Sequence, residues 1–194
     1  MKKLFTITIT LVAFAVNAQN ITIGAKSGLN FAGITGDNAD ELELSGRTSI
    51  HIGGTLEVEI FDSFSIQAEL LYSGQGYSGE LGGGDYKVKL DYINLPLLLR
   101  YHVEDDLFVE VGPQVGFLIS AKSFYSPSDS PDINTDIRDM MNVTDIGLNL
   151  GVGYKLDSGL NFGIRYSRGI TNNYDGLDGF KNSVLQLSLI HISE

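Results

Sequence analysis

The chain has 194 residues, no cysteine, no tryptophan and a formal net charge of −11. Without cysteine it has neither a disulfide framework nor a lipid-modified N-terminal cysteine, and its acidic balance argues against a nucleic-acid partner. No stretch approaches the roughly 18 uninterrupted apolar residues a membrane helix needs.

The first element is a secretory leader. Lys2 and Lys3 precede the apolar run Leu4–Val16, and Val16-Asn17-Ala18 puts small residues where a signal peptidase reads. Cleavage is expected after residue 18, leaving residues 19–194 as one domain.

Eight strands follow in chain order: Ile21–Gly33, Thr48–Ile60, Phe64–Tyr77, Tyr86–His102, Leu107–Ala121, Thr144–Leu156, Leu160–Ile170 and Asn182–Ser193. Each alternates with period two, the signature of a strand with two chemically different faces. The fifth is the clearest. Leu107, Val109, Val111, Pro113, Val115, Phe117, Ile119 and Ala121 share one face, and Glu110, Gly112, Gln114 and Gly116 lie on the other. No segment has a helical period, although Asp132 to Asn142 has room for a short helical turn.

The connections alternate in length. Phe61-Asp62-Ser63, Val103–Asp106 and Asp157-Ser158-Gly159 are short, whereas Ile34–Arg47, Ser78–Asp85, Lys122–Val143 and Thr171–Lys181 are long. Strict alternation places every long loop at one end of an antiparallel up-and-down ring. This predicts an all-β, eight-stranded antiparallel up-and-down transmembrane β-barrel with both termini in the periplasm.

A secreted lipocalin-like barrel, apolar inside, is the competing architecture. The two faces decide between them. Over Ile50–Ile60, Phe64–Tyr72, Leu107–Ala121, Ile146–Leu156 and Leu160–Tyr166, the apolar face carries no charge. The opposite face carries Glu57, Glu59, Glu69, Glu110, Lys155 and Arg165, and glycine at 53, 112, 116, 147, 151, 153 and 163. Glycine packs nothing on a solvated strand, but it makes room inside a narrow barrel. An uncharged outer face suits lipid. Phe61, Phe64, Tyr72, Tyr86, Tyr101, Tyr154, Phe162, Tyr166 and Tyr174 lie near strand ends, as interfacial girdles do.

Three places break the pattern. In the fourth strand Val88, Leu90 and Tyr92 share one parity, while Ile93, Leu95, Leu97 and Leu99 share the other. A bulge near Asn94–Pro96 is expected to flip the face. Pro113 is expected to cause a bulge or a lost bond in the fifth strand. In the last strand, Leu185, Leu187 and Leu189 share a face that Ile190 and Ile192 leave.

The chain resembles the small outer-membrane β-barrel family of Bacteroidota often called PorT-like. The resemblance rests on Gly24-Ala25-Lys26-Ser27-Gly28-Leu29-Asn30, on Asp91-Tyr92-Ile93-Asn94-Leu95-Pro96-Leu97-Leu98-Leu99-Arg100-Tyr101 and on Gly112-Pro113-Gln114-Val115-Gly116. It covers residues 19–194 and implies an eight-stranded outer-membrane barrel, with some members tied to protein secretion.

The candidate site is an interior charge network of Lys26, Glu57, Glu59, Glu69, Glu110, Lys155 and Arg165. Pairing places Lys26 level with Thr55, among Glu57 and Glu69, and leaves Arg165 and Lys155 to serve Glu59 or Glu110. Unpaired charges are costly away from water, so the expectation is a salt-bridge plug rather than a narrow passive pore.

No catalytic, cofactor or metal site is expected. His51, His102 and His191 fall on different strands, and no serine, histidine and acid are expected at one height. Gly74-Gln75-Gly76-Tyr77-Ser78-Gly79 spells a nucleotide-loop pattern without the helix that pattern requires. The expected partners are outer-membrane lipid and another envelope or secretion protein. Divalent cations are a further expectation at the acidic loops, which carry Asp37, Asp40, Glu41, Glu43, Asp129, Asp132, Asp136, Asp139, Asp175 and Asp178.

Overall fold

The structure, a computed structural model, describes residues 21–36, 44–81, 84–104, 106–127, 131–176 and 178–193. The leader, Asp37, Asp40, Glu41, Glu43 and Asp129 lie outside the described residues.

The alternating segments form β1 (Ile21–Thr35), β2 (Ser45–Phe61), β3 (Phe64–Leu81), β4 (Gly84–His102), β5 (Leu107–Pro127), β6 (Ile133–Asp136), β7 (Thr144–Lys155), β8 (Leu160–Gly169) and β9 (Lys181–Ser193). All pairings are antiparallel between neighbours, and β1 closes on β9. The eight long strands thus make one up-and-down ring without a free edge, which is the arrangement a bilayer permits for strands. β6 is a short return strand that pairs β5 beyond the ring. A single 3₁₀ turn, Arg138–Met140, occupies the segment where a helical turn was expected.

The faces fall as the period predicts. Leu150 is 64% exposed, and Val111, Leu97, Ile164 and Leu187 point outward with it. Lys26, Glu69, Glu110 and Arg165 point inward and are buried. Phe61, Phe64, Tyr101, Tyr154, Phe162 and Tyr166 face outward, and Phe64 and Tyr101 stack at 4.9 Å between centroids. Tyr86 and Tyr174 do not join a girdle. Tyr86 packs beside Tyr77 at 6.3 Å, and Tyr174 hydrogen-bonds the Tyr77 hydroxyl.

β4 corrects the expected bulge. Its even residues point inward along its length, including Val88, Leu90, Tyr92, Asn94, Leu98 and Arg100. The face does not flip at Pro96; the interior itself changes from polar to apolar. At the long-loop end Val88, Leu90 and Tyr92 pack against Tyr77, Leu118, Ala121, Ile137 and Met141. The bulge lies one strand over. Asp91 pairs Ser120 while Tyr92 pairs Leu118, so Ile119 is the extra residue and Ala121 turns inward.

Neither proline shifts the register. The β4–β5 ladder runs to Pro96–Gln114 and resumes at Leu99–Val111, so pairing lapses where Leu97 and Pro113 face each other. The β3–β4 ladder lapses likewise between Ala68–Leu97 and Leu71–Asn94. A proline cannot donate to a ladder, but the flanking pairs hold the strands in line.

The expected loop Ser78–Asp85 is mostly strand: Glu80 pairs Asp85 and Leu81 pairs Gly84. β3, β4 and β5 therefore rise past the apolar belt as a small outer sheet. Tyrosine contacts on its inner side and the Lys89 ammonium, 4.3 Å over the Phe124 ring, extend the pairing.

Candidate functional site

The interior is filled in tiers, beginning near the short turns with a chain of ion pairs. Arg165, on β8, grips Glu69 of β3 with both terminal nitrogens, at 2.7 Å and 2.8 Å. Its Nε donates to Glu110 of β5 at 2.6 Å. Lys26 of β1 adds a bond to Glu69 at 3.2 Å. Glu110 also accepts from Arg100 Nε of β4 at 3.0 Å, and Arg100 Nη1 reaches Glu57 of β2 at 2.9 Å. The chain visits six strands, and its three cations match its three carboxylates. Charges that are paired and also hydrogen-bonded are the form in which buried charge is tolerated.

Glycine makes this tier possible. A Cβ on Gly151 would lie 2.9 Å from Glu110 Oε1, and one on Gly153 would lie 2.2 Å from Phe108 Cζ. Phe108 supports Arg100, whose guanidinium carbon sits 4.2 Å over the ring. Gly153→Ala is therefore expected to cost about 1–3 kcal/mol by overpacking. A urea titration followed by circular dichroism measures it, and an unchanged midpoint would show that the ring is free to move.

Sequence reasoning found four members of this chain and placed a fifth, Glu57, beside the wrong partner. Lys26 pairs in register with Gly53, and Thr55 faces Gly24 instead. Glu57 accordingly meets Arg100 rather than Lys26. Arg100 was missed because the run Leu97-Leu98-Leu99 before it hides the strand's parity. Its alternation with Leu97 and Leu99 was the available signal. Glu59 and Lys155 are corrections: both carry the inward parity, but they stand at strand ends on the short-turn rim, exposed to water.

A serine, a histidine and an acid do meet, contrary to expectation. Ser65 Oγ lies 3.2 Å from His102 Nε2, and Glu57 Oε1 lies 3.5 Å from the same nitrogen. The geometry is wrong for a hydrolytic triad. The acid should orient the opposite ring nitrogen, and here the Ser65 hydroxyl is buried and donates to Glu57.

Above the ion pairs is a neutral tier. His51 Nδ1 donates to Asn30 Oδ1 at 2.8 Å and its Nε2 accepts from Ser188 at 3.0 Å. Asn30 also donates to the Gly74 carbonyl at 2.8 Å. The outermost tier is the apolar cluster, covered by Ile137 and Met141 from the β5–β7 connection. The interior is therefore polar only below that cover. Among the described residues, no group of three or more histidine or acidic side chains is placed to hold a metal ion.

A closed ring with a predominantly apolar outer face and ion pairs inside defines a transmembrane β-barrel. The chain matches the outer membrane protein beta-barrel domain over residues 17–175, and it belongs to that family. The barrel is a bacterial outer-membrane protein. Similar solved structures include Neisserial surface protein A, at 9% identity and a TM-score of 0.49, covering 88% of this chain and 96% of that one. The attachment invasion locus protein Ail of Yersinia pestis aligns at 11% identity and a TM-score of 0.49, covering 89% of this chain and 97% of that one. No curated protein matches the sequence, and the family match is not to an enzyme family.

Proposed function

We propose that this barrel is a closed, non-enzymatic envelope protein that acts through its rims, binding a partner in an envelope or secretion role as the PorT-like resemblance suggests. One observation carries the reading: the charge-balanced chain Lys26–Glu69–Arg165–Glu110–Arg100–Glu57, which crosses the lumen among six strands. A narrow barrel has little lumen to spare, and this chain fills it. The apolar cover supports the same reading from the other end. The turns and outer loops are then the surfaces left for recognition.

Planar-bilayer recording tests it. The unsubstituted protein is expected to insert without steady conductance, and steady open channels would establish a pore instead. Cross-linking in intact envelopes tests the partner arm: a reproducible protein adduct is expected, and its absence across linkers of several lengths would remove the binding role.

A further inference from the structure

One interior carboxylate lies outside the balanced chain. Asp145, at the start of β7, is 6% exposed. Its oxygens accept from Thr171 Oγ1 and from Asn182 Nδ2, each at 2.9 Å. Among the described residues no lysine, arginine or histidine pairs with it. A buried carboxylate held only by neutral donors carries a large desolvation cost, and it calls for a positive charge or a proton.

The surroundings supply oxygen. Asn94 of β4 pairs Gly116 of β5, and Gly116 pairs Asp145, so the three stand in one inward row. Gly116 has no side chain to separate its neighbours. A Cβ there would lie 2.6 Å from Asn94 Oδ1 and 3.6 Å from Asp145 Cβ. Among the described residues, Asn94 Oδ1 is buried and has no hydrogen-bond donor, and the same holds for Asn173 Oδ1. Asn173 belongs to the same group, because its Nδ2 donates to Asn182 Oδ1 at 2.9 Å. Orphaned acceptors beside an uncompensated carboxylate are the reverse of what a proton-rich or cationic neighbourhood would leave. They are the donor set of a hard cation, which takes carboxylate and amide oxygens without needing histidine or several acids.

There is also a way in. Thr171 lines a cleft of about 450 Å³ at the outer mouth, together with Asn142, Thr144, Asn172 and Asp178. Thr171, whose hydroxyl bonds Asp145, therefore borders that cleft.

We propose that Asp145, with the amide oxygens of Asn94 and Asn173, binds one hard cation of the sodium or calcium class, admitted past Thr171. The cation neutralises the interior carboxylate and ties β4, β7 and the β8–β9 connection together beneath the outer cover.

The test uses the full folded chain in detergent micelles, stripped with chelator and held in choline chloride. Calcium chloride and sodium chloride are titrated separately. Thermal unfolding by circular dichroism is the first readout, and metal retained after desalting is the second. A saturable one-site response to either ion is expected, weakened at least tenfold in Asp145→Asn and in Asn94→Ala. The exposed-acid variant Asp136→Asn should respond like the parent. Heat-dependent gel mobility confirms that each variant has folded. The inference is overturned if the parent saturates with neither ion, or if a folded Asp145→Asn or Asn94→Ala protein binds as the parent does. The parent titration alone decides the matter should both variants fail to assemble.

Discussion

Arg165→Ala should be among the most damaging single substitutions in the barrel. Glu69 would lose two hydrogen bonds and keep Lys26, while Glu110 would keep only Arg100. Breaking a buried pair by removing one partner leaves a charge without compensation, and it costs about 3–5 kcal/mol. Reversible urea unfolding in micelles measures the loss. The chain has no tryptophan, so circular dichroism and heat-dependent mobility are the probes. The pair Lys26→Met and Glu69→Leu should cost less together than Arg165→Ala alone, because both charges of a terminal pair leave, comparable volume remains and Arg165 keeps Glu110. A loss of under about 1 kcal/mol for Arg165→Ala would show that water reaches the chain and screens it, as at exposed pairs. The closed-lumen reading would fall with that result.

Leu150→Arg tests the outer face. Leu150 stands near the middle of β7, between Val111 on β5 and Tyr166 on β8, and points outward. An arginine at the bilayer midplane of a β-barrel costs about 2–4 kcal/mol, falling to about 0–1 kcal/mol near the interface. Ile170→Arg, beyond the last residue of β8 and on the outward side, is the interfacial control. Folding into vesicles at graded urea should separate the two variants by at least 1 kcal/mol on the same scale. Equal cost at both positions would mean that the face does not meet a depth-dependent lipid environment.

Much of this was legible because a strand writes its two faces directly into sequence. The eight strands, the outward position of Val109, Val111 and Phe117, and the inward position of Lys26, Glu69, Glu110 and Arg165 all follow from period two. So does the role of the inner glycines, since residues 151 and 153 turn out to be where Glu110 and Phe108 need space. Register was less legible. Lys26 was placed two residues from its true partner, because the length of a long loop does not say where its strands begin to pair. That small slip exchanged the partners of Glu57.

Parity also misled where both faces are apolar. In β4 the change from Ile93, Leu95 and Leu97 to Val88, Leu90 and Tyr92 resembles a bulge in sequence. It is a straight strand passing from a lipid-facing belt into an apolar cover. Glu59 and Lys155 show the opposite limit. Parity points them inward, but the strand ends before the interior begins.

The sequence by itself determined the class of fold, the two faces and the outer-membrane setting, because alternation, loop lengths and the exclusion of charge from one face are local properties of the chain. The tertiary structure alone decided which charges meet. It brought Arg100 into the chain of ion pairs, put Ser65 and His102 on Glu57, and, among the described residues, gave Asp145 no basic side chain but orphaned amide oxygens nearby. Those outcomes depend on the closure of β1 on β9, which sets the heights of residues far apart in the chain against one another across a narrow lumen.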